Sequence, residues 1–257
     1  MSAARFCHAL FRPALLRQPA LRGALAGLGL VLGLGLATPG LAQQRPYLLW
    51  LDGAKLDMAK IIGLPPVHNS PEDKAEFEKV QQISLNRTPE REKEAIADQR
   101  VGLVNFLNGM DTSYVDGTHR EIRLLFREAQ VELSILLKSV HRLTNRTRPF
   151  QLWAKVRVKP CPGARPEGTS FPSAHAATAA LYAELLKAAV PQLEDKLEAR
   201  VQSYGESRLV CGFHFPSDLA AGDKAGRAVA KALLADRAFK ARFDDTLPEI
   251  RQAFAVK

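Results

Sequence analysis

The chain is 257 residues long, room for one large domain or two small ones, and its hydrophobic share of 46% is enough to bury a proper core. A formal net charge of +9 suits an anionic substrate or an anionic surface. With no arginine-rich tail and no basic patch interleaved with aromatics, it does not suit nucleic acid.

Residues 1–42 read as an export signal peptide. Arg5, Arg12, Arg17 and Arg22 make a basic start with no acidic residue, "GALAGLGLVLGLGLA" supplies the apolar stretch, and "TPGLA" ends on small residues, so cleavage is expected after Ala42. A membrane anchor is the alternative, but the run is short for a span and rich in glycine. No other segment is long and apolar enough to cross a bilayer. Cleavage removes Cys7 and those four arginines, which leaves a net charge of +5. Cys161 and Cys211 remain, an even pair in an oxidising compartment, as either one disulfide or two separate buried thiols.

Residues 43–257 read as one all-α domain, led by an arm, 43–68, whose "PYLLWL" and "LPP" lie across the helices. Ser70, Pro71 and Asp73 form an N-cap, a first-turn proline and a capping acid ahead of "PEDKAEFEKVQQISL". Thr88, Pro89 and Glu90 repeat that signal for "PEREKEAIADQRVGLVNFL". Thr118 and Glu121 predict a capping pair for a long helix in which Ile122, Leu125, Val131, Ile135 and Leu136 recur at helical spacing. The segment "KPCPGARPEGTSFP", residues 159–172, is a loop. "SAHAATAALYAELLKAAV", "PQLEDKLEARVQSYGESRLVCGF", "PSDLAAGDKAGRAVAKALLA" and a last amphipathic piece from about residue 237 complete the helices. Strand signals are nearly absent, and no internal repeat is visible.

Three polar clusters punctuate these helices: "HRLTNRTRP" with His141 and Arg148, "FPSAH" with Ser173, Ala174 and His175, and "SRLVCGFHFPSD" with Arg208, His214 and Asp218. Arginine offers phosphate a planar fork of permanent charge. A helix opened by "PSAH" leaves N–H groups free for an anion. A neutral imidazole attacks phosphorus and a protonated one donates to the leaving oxygen. A carboxylate at one ring nitrogen keeps the lone pair on the other, so His214 with Asp218 suits the nucleophile and His175 the acid.

The order of these clusters resembles the tripartite signature of the type 2 phosphatidic acid phosphatase superfamily, K-x6-RP, PSGH and SR-x5-H-x3-D, matched at Arg148-Pro149, at residues 172–175 and at residues 207–218. The context "RLVCGFHFPSD" and the leader look like the soluble branch, the bacterial class A non-specific acid phosphatases. That resemblance implies an all-α bundle and hydrolysis of small phosphomonoesters by His214 through a phosphohistidine. It gives Asp218 the orienting role and His175 the acid role. Arg148, Arg208, Ser173 and the Ala174 N–H would hold the phosphoryl oxygens. It also implies no metal or other cofactor and a periplasmic location, in a family whose members commonly form homo-oligomers, and the composition already argues against a nucleic-acid partner. Two positions depart from the signature. His141 replaces lysine and is a full cation only below a pKa of about 6.5. Ala174 replaces glycine but keeps its N–H. Lys138, a turn earlier, is a substitute cation.

Other residues have plainer expectations. His68 and His119 read as solvated, and Trp50 and Trp153 as core or interface. Lys155, Arg157 and Lys159 form a basic run, either solvated or steering anions. Phe213 and Phe215 flank His214 and are expected to wall the pocket. The competing functions are a vanadate-dependent haloperoxidase, which the related constellation suggests, and a phosphate- or phospholipid-binding protein with little catalysis.

Overall fold

In the computed structural model of the protein, the described residues are 49–152, 157–163 and 168–254. They fall within one compact unit, Gln44–Lys257. The expected signal peptide, Trp153 and Lys155 lie outside the described residues. Nine α-helices are seen among them: α1 Met58–Ile62, α2 Pro71–Leu85, α3 Pro89–Ala97, α4 Leu103–Phe106, α5 Arg120–Leu143, α6 Ala174–Ala189, α7 Glu194–Val210, α8 Pro216–Ala235 and α9 Arg237–Ala253. No strand occurs among the described residues, and no helix there is long and apolar enough to cross a membrane.

The alanine-rich α6 is the axis. It is apolar on nearly all sides, as a helix surrounded by others must be, with Ala177, Ala179, Ala180, Leu181, Ala183, Leu185 and Leu186 fully buried. Its small side chains let α8 come close. A Cβ placed on Gly226 would sit 2.1 Å from the Ala177 carbonyl oxygen, and one on Gly222 would sit 2.4 Å from that of Ser173. Helices α5, α7 and α9 pack around this pair. The arm packs Trp50, Leu51, Leu56 and Met58 on the same core, with Trp50 edge-on to Phe239 at 5.8 Å. The fully buried Glu132 accepts from the N–H groups of Leu49 and Trp50, and burial raises its pKa.

Local start signals were read correctly where the cap is local. Ser70 Oγ accepts from the Asp73 N–H at 3.1 Å and Thr88 Oγ1 from the Arg91 N–H at 3.2 Å. Three expectations are corrected. The helix opened by Pro89 stops at Ala97 and resumes at Leu103, because α7 binds the chain in the break and in the turn of helix after it. Arg200 takes Asp98 at 2.6 Å and the Asn105 and Phe106 carbonyls, while Tyr204 donates to the Arg100 carbonyl at 2.8 Å. Thr118 and Glu121 do not cap α5, which starts at Arg120. His119 Nδ1 instead accepts from the Val115 N–H at 2.9 Å and its ring stacks on Tyr114. Val131 is 42% exposed on the outer face of α5. The buried stripe runs through Leu125, Ala129, Leu133, Leu136 and Val140, as a period of 3.6 from Leu125 requires.

Cys161 and Cys211 form a disulfide that ties the loop before α6 to the end of α7. Gly212, at φ +67°, turns the chain from α7 towards α8 in a conformation that favours glycine.

Candidate active site

The string "SRLVCGFHFPSD" straddles that turn. Ser207 and Arg208 ride on the last turns of α7, His214 sits between the helices, and Pro216 opens α8 with Asp218 in its first turn. Because α8 begins there, the Asp218 carboxylate accepts from the Phe215 N–H at 2.8 Å and is fully buried. His214 is 5% exposed. Its Nδ1–H donates to the Ser170 carbonyl at 2.8 Å, and Asp218 Oδ2 lies beside it at 3.5 Å. Both neighbours of Nδ1 are acceptors, so the neutral ring carries its proton there and keeps its lone pair on Nε2. Arg148 Nη1 stands 3.2 Å from that Nε2. Burial lowers the His214 pKa although Asp218 opposes it, so the lone pair is available down into the acid range. Burial alone would raise Asp218, but its hydrogen bond with His214 and the Arg146 charge hold it below the usual carboxylate range.

Two arginines converge on this imidazole. Arg148, near the start of the α5–α6 connection, donates to the Phe213 carbonyl at 3.0 Å and the Thr169 carbonyl at 3.2 Å. Arg208 is 1% exposed and donates to the Ala95 carbonyl at 2.9 Å, at the end of α3. Neither forms an ion pair among the described residues, and the Nε of each is buried without a partner. A buried cation without a carboxylate is costly. Burial pushes Arg208 down to about 10 and lowers Arg148 as well.

His175 stands on the first turn of α6, and its Nε2–H donates to the Gln99 carbonyl at 2.9 Å. Burial first, then the Arg208 charge, push its pKa down to about 3, so the ring is neutral while the cavity holds no anion. Ser173 caps α6, its Oγ accepting from the Ala176 N–H at 3.3 Å and its N–H donating to the Asp218 carbonyl at 3.0 Å. Ala174 is exposed at the first helical position, where an N–H has no partner within the helix.

A cavity of about 500 Å³ unites Arg148, His175, Arg208 and His214 with Gln99, Arg100, Gly163 and Phe213. Of the site residues expected from sequence, those four histidines and arginines line it together. Asp218 lies behind His214, and Ser173 is buried under the start of α6. His141 is set apart, its Nε2 3.2 Å from the Pro172 carbonyl, in an adjoining hollow of about 420 Å³ that it shares with Lys138, Arg142 and Arg148. Phe213 is a wall, as expected. Phe215 is not, because its ring lies under the Arg146 guanidinium, 3.8 Å from the centroid.

Sequence reasoning missed Gln99, Arg146 and Ser170. Gln99 holds His175 through its carbonyl and bridges to the Pro162 carbonyl at 2.8 Å through its side chain. It sits in the break between α3 and α4, which no local pattern marks. Arg146 shares its short "RTRP" run with Arg148, a signal that was on the page.

Residues 131–242 match the PAP2 superfamily. A non-specific acid phosphatase of Salmonella typhi is 37% identical over 86 residues, 32% of this chain and 33% of that protein, so this match spans about a third of the relative's length. One of Providencia stuartii is 26% identical over 222 residues, covering 82% of this chain and 86% of its own. A transmembrane PAP2-type phosphatidylglycerolphosphate phosphatase from Bacillus subtilis superposes with a TM-score of 0.47 at 19% identity, over 74% of this chain and 91% of its own. The stretch that matches the superfamily contains every site residue from His141 to Asp218.

Proposed function

We propose that the protein is an exported acid phosphatase that hydrolyses phosphomonoesters through a phosphohistidine. The observation that carries this reading is the pair of arginines without a carboxylate partner among the described residues, half-buried Arg148 and buried Arg208, in one cavity with the Nε2 lone pair of His214. A phosphoryl group supplies the missing negative charge and the electrophile together. The relatives' printed name, non-specific acid phosphatase, supports the same reaction.

The steps follow from the tautomers. His214 Nε2 attacks phosphorus, the bond to the ester oxygen breaks, and that oxygen leaves with a proton from His175. The bound anion offsets the Arg208 charge and raises His175 from its low resting pKa, so the acid is loaded when substrate is present. His175, now neutral, takes a proton from water as the water oxygen attacks phosphorus. The P–N bond breaks and phosphate leaves. Asp218 stays ionised and stabilises the positive ring of His214. Arg148, Arg208 and the start of α6, with the Ala174 N–H, hold the phosphoryl oxygens, and Ser173 orders that helix start. No step runs through a metal. Residues 1–42 act as the export signal and 43–257 as the enzyme, and the Cys161–Cys211 disulfide favours a periplasmic location.

The test is phosphate release from p-nitrophenyl phosphate across the acid and neutral range, beside His214→Ala. Turnover is expected to fall more than about 1,000-fold in the variant. Equal turnover in both would overturn the nucleophile. No turnover by the folded wild type would leave a phosphate-binding protein.

A further inference from the structure

Arg146 does not touch the cavity, yet both groups at the Nδ1 edge of His214 depend on it. Its side chain is 8% exposed. Nη1 donates to Asp218 Oδ1 at 2.8 Å and Ser217 Oγ at 2.7 Å, and Nη2 to Asp73 Oδ1 and Glu76 Oε2, each at 2.8 Å. Its backbone grips the loop before α6. The Arg146 carbonyl accepts from the Ser170 N–H at 2.8 Å, and its N–H donates to Thr169 Oγ1 at 3.0 Å. Ser170, held in that way, presents its carbonyl to His214 Nδ1 and donates its hydroxyl to Asp218 Oδ2.

We infer that Arg146 is a positioning residue for the nucleophile: it holds the Ser170 carbonyl and the Asp218 carboxylate against Nδ1 of His214, and it shares the Asp218 charge so that the ring stays neutral in acid. This rests on the phosphatase reading above. The electrostatic half follows from the distances. Asp218 lies 2.8 Å from the guanidinium and 3.5 Å from the imidazole, so the guanidinium takes the larger share of its charge. The other charges facing His214 are Arg148 from the α5–α6 connection, Arg208 from α7 and His175 from α6 when protonated. Asp73 and Glu76 on α2 act through Arg146, with His68 3.5 Å from Asp73 at the surface.

A plain staple between α2 and α8 would hold the fold without setting the basicity of His214. The two roles therefore separate in a titration. Removing the cation in Arg146→Met leaves Asp218 to the imidazole alone, which stabilises the protonated ring. Removing an anion in Glu76→Gln frees more of the Arg146 charge for Asp218 and does the opposite.

The experiment is an NMR titration of the His214 ring in the resting protein, with kcat and KM against pH on p-nitrophenyl phosphate alongside. For Arg146→Met we expect the His214 pKa to rise by about 1 unit. The acid limb of kcat/KM should move up with it, and kcat should fall about 100-fold at nearly constant KM. Arg146→Lys, which keeps the charge, should return the pKa towards wild type. Glu76→Gln should lower it, and this variant decides the matter if Arg146→Met does not fold. An unmoved His214 titration in folded variants, or a shift of the same sign in Arg146→Met and Glu76→Gln, overturns the inference. The titration needs no turnover, so an inactive wild type would refute the phosphatase reading and leave Arg146 to be decided by NMR.

Discussion

Arg208 is buried to 1% exposure with no carboxylate to pair it among the described residues, so its guanidinium works against the fold until an anion binds. The desolvation of a cation is offset only in part here, by the Ala95 carbonyl and by the Phe213 ring, whose centroid lies 5.5 Å from the guanidinium. Two consequences follow with opposite signs. Replacing Arg208 by the similarly long, uncharged methionine should leave the ligand-free protein at least as stable as wild type, because the unpaired charge goes and the volume is largely kept. The same change should abolish stabilisation by inorganic phosphate, which in wild type would reach about 2.7 kcal/mol at a phosphate concentration 100 times Kd. Thermal melts of both proteins across a phosphate series check this. An Arg208→Met protein that keeps the wild-type phosphate increment would take Arg208 out of the anion site.

At the scale of elements, the site is held by the closeness of α6 and α8. The Cβ of an alanine at 226 would meet the Ala177 carbonyl oxygen at 2.1 Å and the Leu181 nitrogen at 2.8 Å, both backbone atoms that cannot swing aside. Gly226→Ala should therefore destabilise by about 3 kcal/mol, the upper end of ordinary overpacking. Gly205 in α7 is the control. Its added Cβ would meet Leu219 Cδ1 at an ordinary 3.8 Å, so Gly205→Ala should gain up to about 1 kcal/mol from helix propensity. Denaturant unfolding of the two variants measures both, and destabilisation by both would show that the helix crossing is not what matters. The same contrast between local and distant causes explains what the sequence could reveal. Helices capped by their own residues, at Ser70 and Thr88, were legible, as was the gathering of His214, Asp218, His175 and the two arginines into ordered clusters. The break after Ala97 was not, because Arg200 and Tyr204, a hundred residues away in the chain, make it. The Ser170 carbonyl that holds His214 is a backbone atom of a distant loop, and side-chain identity gives no hint of it. His141 was grouped with the phosphate ligands by the spacing of the signature, and it lines the adjoining hollow, which Arg148 shares.

On the scale of the whole molecule, the cavity lies where the end of α3, the α5–α6 connection, the start of α6 and the α7–α8 turn meet, so filling it with an anion bears on global stability. The protons respond in a fixed direction. His175 has a folded pKa of about 3, below an unfolded value of about 6.5. Its neutral form is the one the empty fold accommodates. That contribution is fully present above about pH 6.5 and is lost as pH falls towards 3, and the lowered pKa of His214 adds to the same loss. A bound anion reverses the sign at His175 by stabilising the charged ring, so anion binding takes up protons. Sulfate, shaped like phosphate and of constant charge between pH 4 and 6.5, isolates this protein-side effect. Its affinity should rise as pH falls through that range, and its stabilising increment in thermal melts should grow as the ligand-free protein weakens. In His175→Ala the slope of log affinity against pH should drop by about one proton. An unchanged slope would assign the proton uptake to His214 instead, and with it would remove His175 from the role of a general acid loaded by its own substrate.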